Sequence, residues 1–248
     1  VNTTKETRIA NAVDILAGLR AQHAAMERLP DHVRPQTPAE AYEIQARLAR
    51  AAATDGMHWK VSASGPLGPA AAPVFGDRIL TSPATVGTAN RLETEIALKL
   101  GRDLPCRPER PYSRQEVRAC VEAFAIAFEL VDWRLTAGDL SFPERLADCF
   151  ANDGMVIGDP APLEVLSASP VTQTTLFRDG EPEPFTPVDI DPVGSLLAYA
   201  NAGGDRLGGF KAGQWVLTGS MTGMQACGSA SAWKACWADI SEVCLTLA

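Results

Sequence analysis

Residues 92–98 read Leu92-Glu93-Thr94-Glu95-Ile96-Ala97-Leu98, an alternation that suits an extended strand. Side chains two apart on a strand share a face, so Glu93 and Glu95 project together. Leu92, Thr94, Ile96 and Leu98 make the opposite, mostly apolar face, which predicts a sheet packed on one side. Two carboxylates aimed into one space repel unless positive charge sits between them, and a divalent cation held by oxygen ligands is the natural candidate. A third acid, Glu129, interrupts the apolar run Ala127-Phe128-Leu130-Val131. An acid in such a run is either buried with a partner or coordinating something. Glu93, Glu95 and Glu129 are therefore the candidate metal ligands, with an ordinary solvated sheet face as the competing reading of the first two.

Lys60, between Trp59 and Val61, is another charge embedded in apolar residues. It reads either as a lysine snorkelling from a strand end or as an acid/base group beside the cation in an enolate-forming reaction. The segment 218–223, Thr-Gly-Ser-Met-Thr-Gly, reads as a glycine turn whose backbone and hydroxyls could also bind a carboxylate.

Composition narrows the function. The net charge of -8 has no basic block to offset it, which disfavours a nucleic-acid partner. No stretch approaches the roughly 20 apolar residues of a membrane span, and the first residues carry charge without the apolar core of a signal peptide. Six cysteines without C-x-x-C spacing read as reduced, mostly buried thiols, and a cytoplasmic location is expected. His23, His32 and His58 form no ligand cluster, and neither a dinucleotide fingerprint nor a Walker-type loop is present.

The chain reads as α+β, helices first and strands later, without an internal repeat or a dividing linker. Ile9, Val13, Leu16 and Leu19 form one helical stripe. Thr37-Pro38-Ala39-Glu40 starts a second helix with a capping box, continuing through Ala41, Ile44, Leu48 and Ala51. After Gly56, residues 59–62 read as a strand. The Gly/Pro/Ala-rich residues 64–73 read as a rim or lid loop, too rich in breakers for core strand. Ser113-Arg114-Gln115-Glu116 opens a helix with Val117, Cys120, Val121 and Phe124 on one face, running into a strand over 127–133. Strands follow over 171–177, 215–218 and 243–247. A helix starting at Asp191-Pro192 closes at Gly203-Gly204.

Several segments together resemble one family. They are Ala41-Tyr42-Glu43-Ile44-Gln45, Trp59-Lys60-Val61, Phe75-Gly76, the Glu93/Glu95 strand, Phe128-Glu129-Leu130-Val131-Asp132-Trp133-Arg134, Leu146-Ala147-Asp148, Gly154-Met155-Val156-Ile157-Gly158 and Lys211 to Ser220. In this order they are similar to the 2-keto-4-pentenoate hydratase and 4-oxalocrotonate decarboxylase group of the fumarylacetoacetate hydrolase superfamily. The resemblance implies one domain over 1–248, with helical residues 1–55 packed on a β-rich core of curled mixed sheets with helices outside. It also implies a homo-oligomer, with a paralogous pathway enzyme as a further partner. It implies Mg²⁺ or Mn²⁺ on Glu93, Glu95 and Glu129, catalytic Lys60, and a 2-oxo acid from aromatic-ring catabolism as substrate. Ser220 and Phe150 are the expected substrate contacts.

The expected activity is that of a lyase, a hydratase working through an enolate that the cation stabilises. A decarboxylase, an acylpyruvate hydrolase and a catalytically silent subunit that binds a 2-oxo acid are the alternatives. Two departures from the family motivate them: Val74 where an acid is common, and Cys149-Phe150-Ala151 where small polar residues follow Asp148.

Overall fold

The computed structural model describes residues 4–52, 57–107, 109–202, 204, 206–228 and 230–248. Two helices come first. Helix α1 (Lys5–Ala21) is capped by Thr4 and buries Ile9, Ala12, Val13 and Leu16. Helix α2 (Pro38–Ala51) is capped by the Thr37 side chain and buries Ala41, Ile44 and Leu48. Glu40 does not close a capping box: its carboxylate accepts from the Gln36 amide at 2.7 Å and pairs with Arg8 of α1, tying the two helices together.

Strands then dominate: β1 (Met57–Ser62), β2 (Ala70–Phe75), β3 (Ile79–Thr81), β4 (Ala84–Val86) and β5 (Arg91–Leu100). A one-turn helix, α3 (Arg114–Arg118), precedes β6 (Val121–Val131), and α4 (Phe142–Ala147) precedes β7 (Asn152–Ile157). The short β8 (Ala161–Pro162), then β9 (Thr174–Arg178) and β10 (Glu181–Pro182), lead to helix α5 (Pro192–Ala202). The chain finishes with β11 (Trp215–Ser220), β12 (Gln225–Ala226), β13 (Ala232–Trp237) and β14 (Ser241–Leu247).

The larger, mixed sheet runs β2-β1-β11-β5-β6-β7-β3, and the smaller one runs β10-β9-β13-β14-β4. β2 comes back against β7 although four strands lie between them, so the large sheet curls into an incomplete barrel. Its convex face packs on the small sheet, where Phe124 meets Trp237 edge-on at 5.0 Å. Its concave face is lined by small or slender side chains, among them Val74, Ala97, Ala125, Ala127, Met155 and Leu217. Helices α1, α2 and α4 form a further apolar cluster with residues of β2.

Three further expectations need correction. Residues 70–73, placed by the sequence at the end of a breaker-rich loop over 64–73, belong to the buried strand Ala70–Phe75. Pro73 is tolerated there because β2 is an edge strand, paired only with β1. The helix expected to carry Val121 and Phe124 ends at Arg118, because β6 starts at Val121 and takes both residues into the sheet. The sheet is also not packed on one side only: Ala97, Ala125 and Ala127 on the acidic face are as buried as Ile96 on the other. Gly203, expected to help close α5, lies outside the described residues.

Candidate functional site

The three acids meet on the concave face. Glu93 of β5 is registered directly opposite Glu129 of β6, and Glu95 follows two residues along on the same face. Ligand oxygens of all three lie within 4.8 Å of one another. Like charges directly across a ladder destabilise a sheet, and here the arrangement is buried: Glu129 is 0 % exposed and Glu95 2 %.

Lys60 enters from β1, separated from β6 by β11 and β5. Three inter-strand steps are about 14 Å across a flat sheet, farther than a lysine reaches. The curl closes that gap, and the small side chains of Ala97, Ala125 and Ala127 leave the path open. Lys60 Nζ thus donates to Glu129 Oε1, which also accepts from Asn152 Nδ2 at 2.9 Å. The other oxygen, Glu129 Oε2, is buried with no hydrogen-bond partner among the described residues.

β11 adds a bulge. Its pairing with β5 shifts register between Leu217 and Ser220, with Gly219 at φ +126°. The bulge turns the Gly219 N–H onto Glu95 Oε2 at 2.7 Å, while the Thr218 hydroxyl donates to the Ile96 carbonyl at 2.7 Å. Of the glycine turn expected over 218–223, residues 218–220 are therefore the irregular end of β11. Asn152 and Gly219 are contacts that the sequence reading missed. A glycine inside a strand pattern signals a bulge, but nothing in the sequence marks Asn152.

Burial sets the electrostatics. It raises Glu93 to about 7, with the Glu129 charge as the second cause. The Ser220 hydroxyl eases that charge without reaching hydrogen-bond geometry. Glu95 is pushed well above the carboxylate range by burial and then by Glu129. Burial works against the Lys60 ammonium, yet Glu129, Glu95 and Glu93 outweigh it and hold its pKa above the ordinary lysine value.

A cavity of about 990 Å³ opens over this cluster, with Lys60, Glu93, Glu95, Phe150, Ser220 and Arg145 on its wall. Ser220 and Phe150, the expected substrate contacts, both face it. Val74 does not: it is fully buried beside Met155 and Ala97. Cys149 is buried too, and burial pushes its thiol up to about 11, so it is a neutral core group. His23 and His32 are exposed, and His58 turns its Nδ1 to the Met57 carbonyl.

No protein-family model matches the chain. The chain is 31% identical over 139 residues to the 2-hydroxyhexa-2,4-dienoate hydratase of Comamonas testosteroni. That match takes in 53% of this chain and 50% of the relative, so it spans half the relative's length. Among solved structures, 4-oxalocrotonate decarboxylase from Pseudomonas putida G7, complexed with magnesium and adipate, superimposes with a TM-score of 0.83 at 15% identity. The superposition covers 99% of this chain and 98% of that one. The chain has the fumarylacetoacetate hydrolase superfamily fold. Maleylpyruvate hydrolase from Sphingobium sp. SYK-6, in complex with manganese (II) and pyruvate, is more distant: TM-score 0.51, 14% identity, covering 77% of this chain and 69% of that chain. The resemblance read from the sequence is borne out by a sequence relative and by the fold.

Proposed function

We propose that the chain is a divalent-metal-dependent enzyme acting on a 2-oxo acid or its 2-hydroxydienoate tautomer, with hydration as its reaction. Three acids within ligand distance of one another, Glu95 and Glu129 buried and Glu93 half-buried, carry the reading, and Glu129 has an oxygen lacking any partner among the described residues. A carboxylate oxygen left bare in a dry site is costly, and the all-oxygen donor set of Glu93, Glu95 and Glu129 fits a hard cation such as Mg²⁺ or Mn²⁺. The hydratase relative and the magnesium and manganese complexes of the two structural neighbours support the same reading.

When bound, such a cation supplies Lewis-acid stabilisation of the negative charge that an enolate places on the C2 oxygen. The protein supplies the rest. Asn152 and the Gly219 amide fix two of the carboxylates, so that they need not reorganise as charge develops. Lys60 is the proton carrier. Once the acids are neutralised, the charges that hold its proton are offset, and burial then eases its release. Phe150 and Leu140 cover the cavity wall with apolar surface and limit water.

A second reading, decarboxylation, is supported by the likeness of the fold to 4-oxalocrotonate decarboxylase. Loss of carbon dioxide needs the same electron sink as hydration and fewer proton transfers. The test is turnover of a 2-hydroxydienoate, of 4-oxalocrotonate and of an acylpyruvate by the purified protein, with Mg²⁺, with Mn²⁺ and with EDTA. Metal-dependent loss of dienol absorbance with the hydrated product supports the proposal, and carbon dioxide release selects the second reading. Metal binding without change in any of the three substrates overturns both and leaves a silent 2-oxo acid binder.

A further inference from the structure

Two basic side chains, Lys60 and Arg145, stand on the described wall of the large cavity. The charge of Lys60 is taken up by Glu129. That of Arg145 is not: its Nε donates to the Leu140 carbonyl at 3.1 Å, and no carboxylate among the described residues pairs with it. The side chain is nevertheless positioned. Helix α4 is fixed by a capping box in which Ser141 and Glu144 bond reciprocally, and the Nε tether orients the guanidinium plane. Its two terminal nitrogens stay available, in the fork geometry that suits a carboxylate.

The neighbouring wall is built with strain. Cys149, Phe150 and Ala151 are consecutive non-glycine residues at φ 54°, 52° and 62°. Each such residue costs on the order of 1 kcal/mol or more, and persists only where its surroundings impose it. The turn presents the Phe150 ring toward Phe142, with centroids 5.8 Å apart. Leu140, Arg145 and Phe150 line both the large cavity and an adjoining one of about 470 Å³. Apolar surface and one unneutralised cation therefore lie together on this side. The same cavity is lined by Asp189 and Asp191; the latter is held by Arg114 through bonds of 2.5 and 2.6 Å, and the former accepts from Ser169.

We propose that Arg145 is a specificity-determining residue, receiving a second anionic group at the distal end of the substrate while the carbon chain lies against Phe150 and Phe142. The inference rests on the function proposed above and sharpens it. The protein selects 2-oxo acids that end in a second carboxylate over monocarboxylates of equal length.

The probes are 2-oxoadipate and 2-oxohexanoate, titrated calorimetrically into the full chain loaded with Mn²⁺. The wild-type protein is expected to favour 2-oxoadipate by roughly fivefold to tenfold, the strength of a charge-assisted bond at an exposed site. Arg145→Gln removes that preference and leaves 2-oxohexanoate affinity unchanged, and Arg145→Lys restores part of it. Equal affinity for the two probes in the wild-type protein, or a preference that survives in Arg145→Gln, overturns the subsite and leaves the metal site standing. Failure of both probes to bind Mn²⁺-loaded protein whose metal is measured in place overturns the 2-oxo acid reading, and the subsite with it.

Discussion

Lys60 Nζ donates to Glu129 Oε1 across the hollow of the curled sheet, and the second oxygen of the same glutamate has no partner among the described residues. The pair thus satisfies half of a carboxylate. Lys60 and a cation would share Glu129 and also repel each other, so the lysine works against metal affinity while serving the chemistry. Lys60→Met, which keeps the length and removes the charge, is expected to retain or tighten Mn²⁺ binding. Turnover should fall by roughly 10²- to 10⁴-fold, the usual contribution of a positioned acid or base. Calorimetry and a dienol assay on the same preparation check it. A variant that loses metal and activity together would show that Lys60 only holds the site in shape.

Glu129 and Asn152 separate a ligand from its support. Glu129→Gln replaces the buried carboxylate by a neutral amide, a poorer ligand for a hard cation. Asn152→Ala leaves the carboxylate but removes the 2.9 Å hydrogen bond that orients it. Loss of such a supporting contact weakens metal binding by about 10- to 100-fold, and Glu129→Gln is expected to exceed that. Competition with a fluorescent chelator gives both constants. Equal affinities in wild type and Glu129→Gln would falsify the assignment of the metal site.

The acids also make stability depend on pH in an unusual direction. Glu93 is raised to about 7, chiefly by burial and then by Glu129, and Glu95 is raised for the same two reasons. Between the ordinary carboxylate value and about 7 the folded protein therefore binds more protons than the unfolded chain. The contribution of these groups is fully present below the unfolded value and is lost as pH rises through the folded one. In EDTA, this loss should lower the melting temperature from pH 5 to pH 8. Mg²⁺ or Mn²⁺ replaces the protons, so the metal-induced rise should be larger at pH 8 than at pH 5. A metal-induced shift that is the same at both pH values counts against the three acids as ligands.

How legible this was in the sequence depended on what each residue answers to. Glu93 and Glu95 were readable because a strand's period of two fixes their common face, and Glu129 because an acid in an apolar run demands an explanation. Lys60 was readable only as an anomaly, since its meeting with Glu129 depends on sheet curl, which no local pattern encodes. Residues 70–73 were misread because a run of alanines and a proline after Gly-Pro pairs looks like loop until the edge position of β2 is known. Val121 and Phe124 fit a helical spacing and a strand equally well over so short a window, and the long ladder with β5 decided between them. Asn152 carries no signature because it acts on Glu129 of another strand, and Arg145 carries none because its local tether to Leu140 does not reveal the cavity it lines.

Gly158 offers a test of the joint between the two sheets. Its amide donates to the Ile126 carbonyl of β6 at 3.0 Å, and the next amide, from Asp159, donates to the Glu242 carbonyl of β14 at 3.0 Å. The chain passes between two backbone segments there, one from each sheet. A Cβ at this position would collide with both carbonyl oxygens, and neither is the end of a flexible side chain that could move aside. Gly158→Ala is therefore expected to destabilise by about 3 kcal/mol or more, in the range of overpacked cores. Gly87→Ala, with open space around the Cβ, should change stability by no more than about 1 kcal/mol. Urea unfolding of both variants under one set of conditions gives the comparison. Equal midpoints would mean that the sheets can part at Gly158 without cost, and that the curl holding Lys60 over Glu129 does not depend on their contact there.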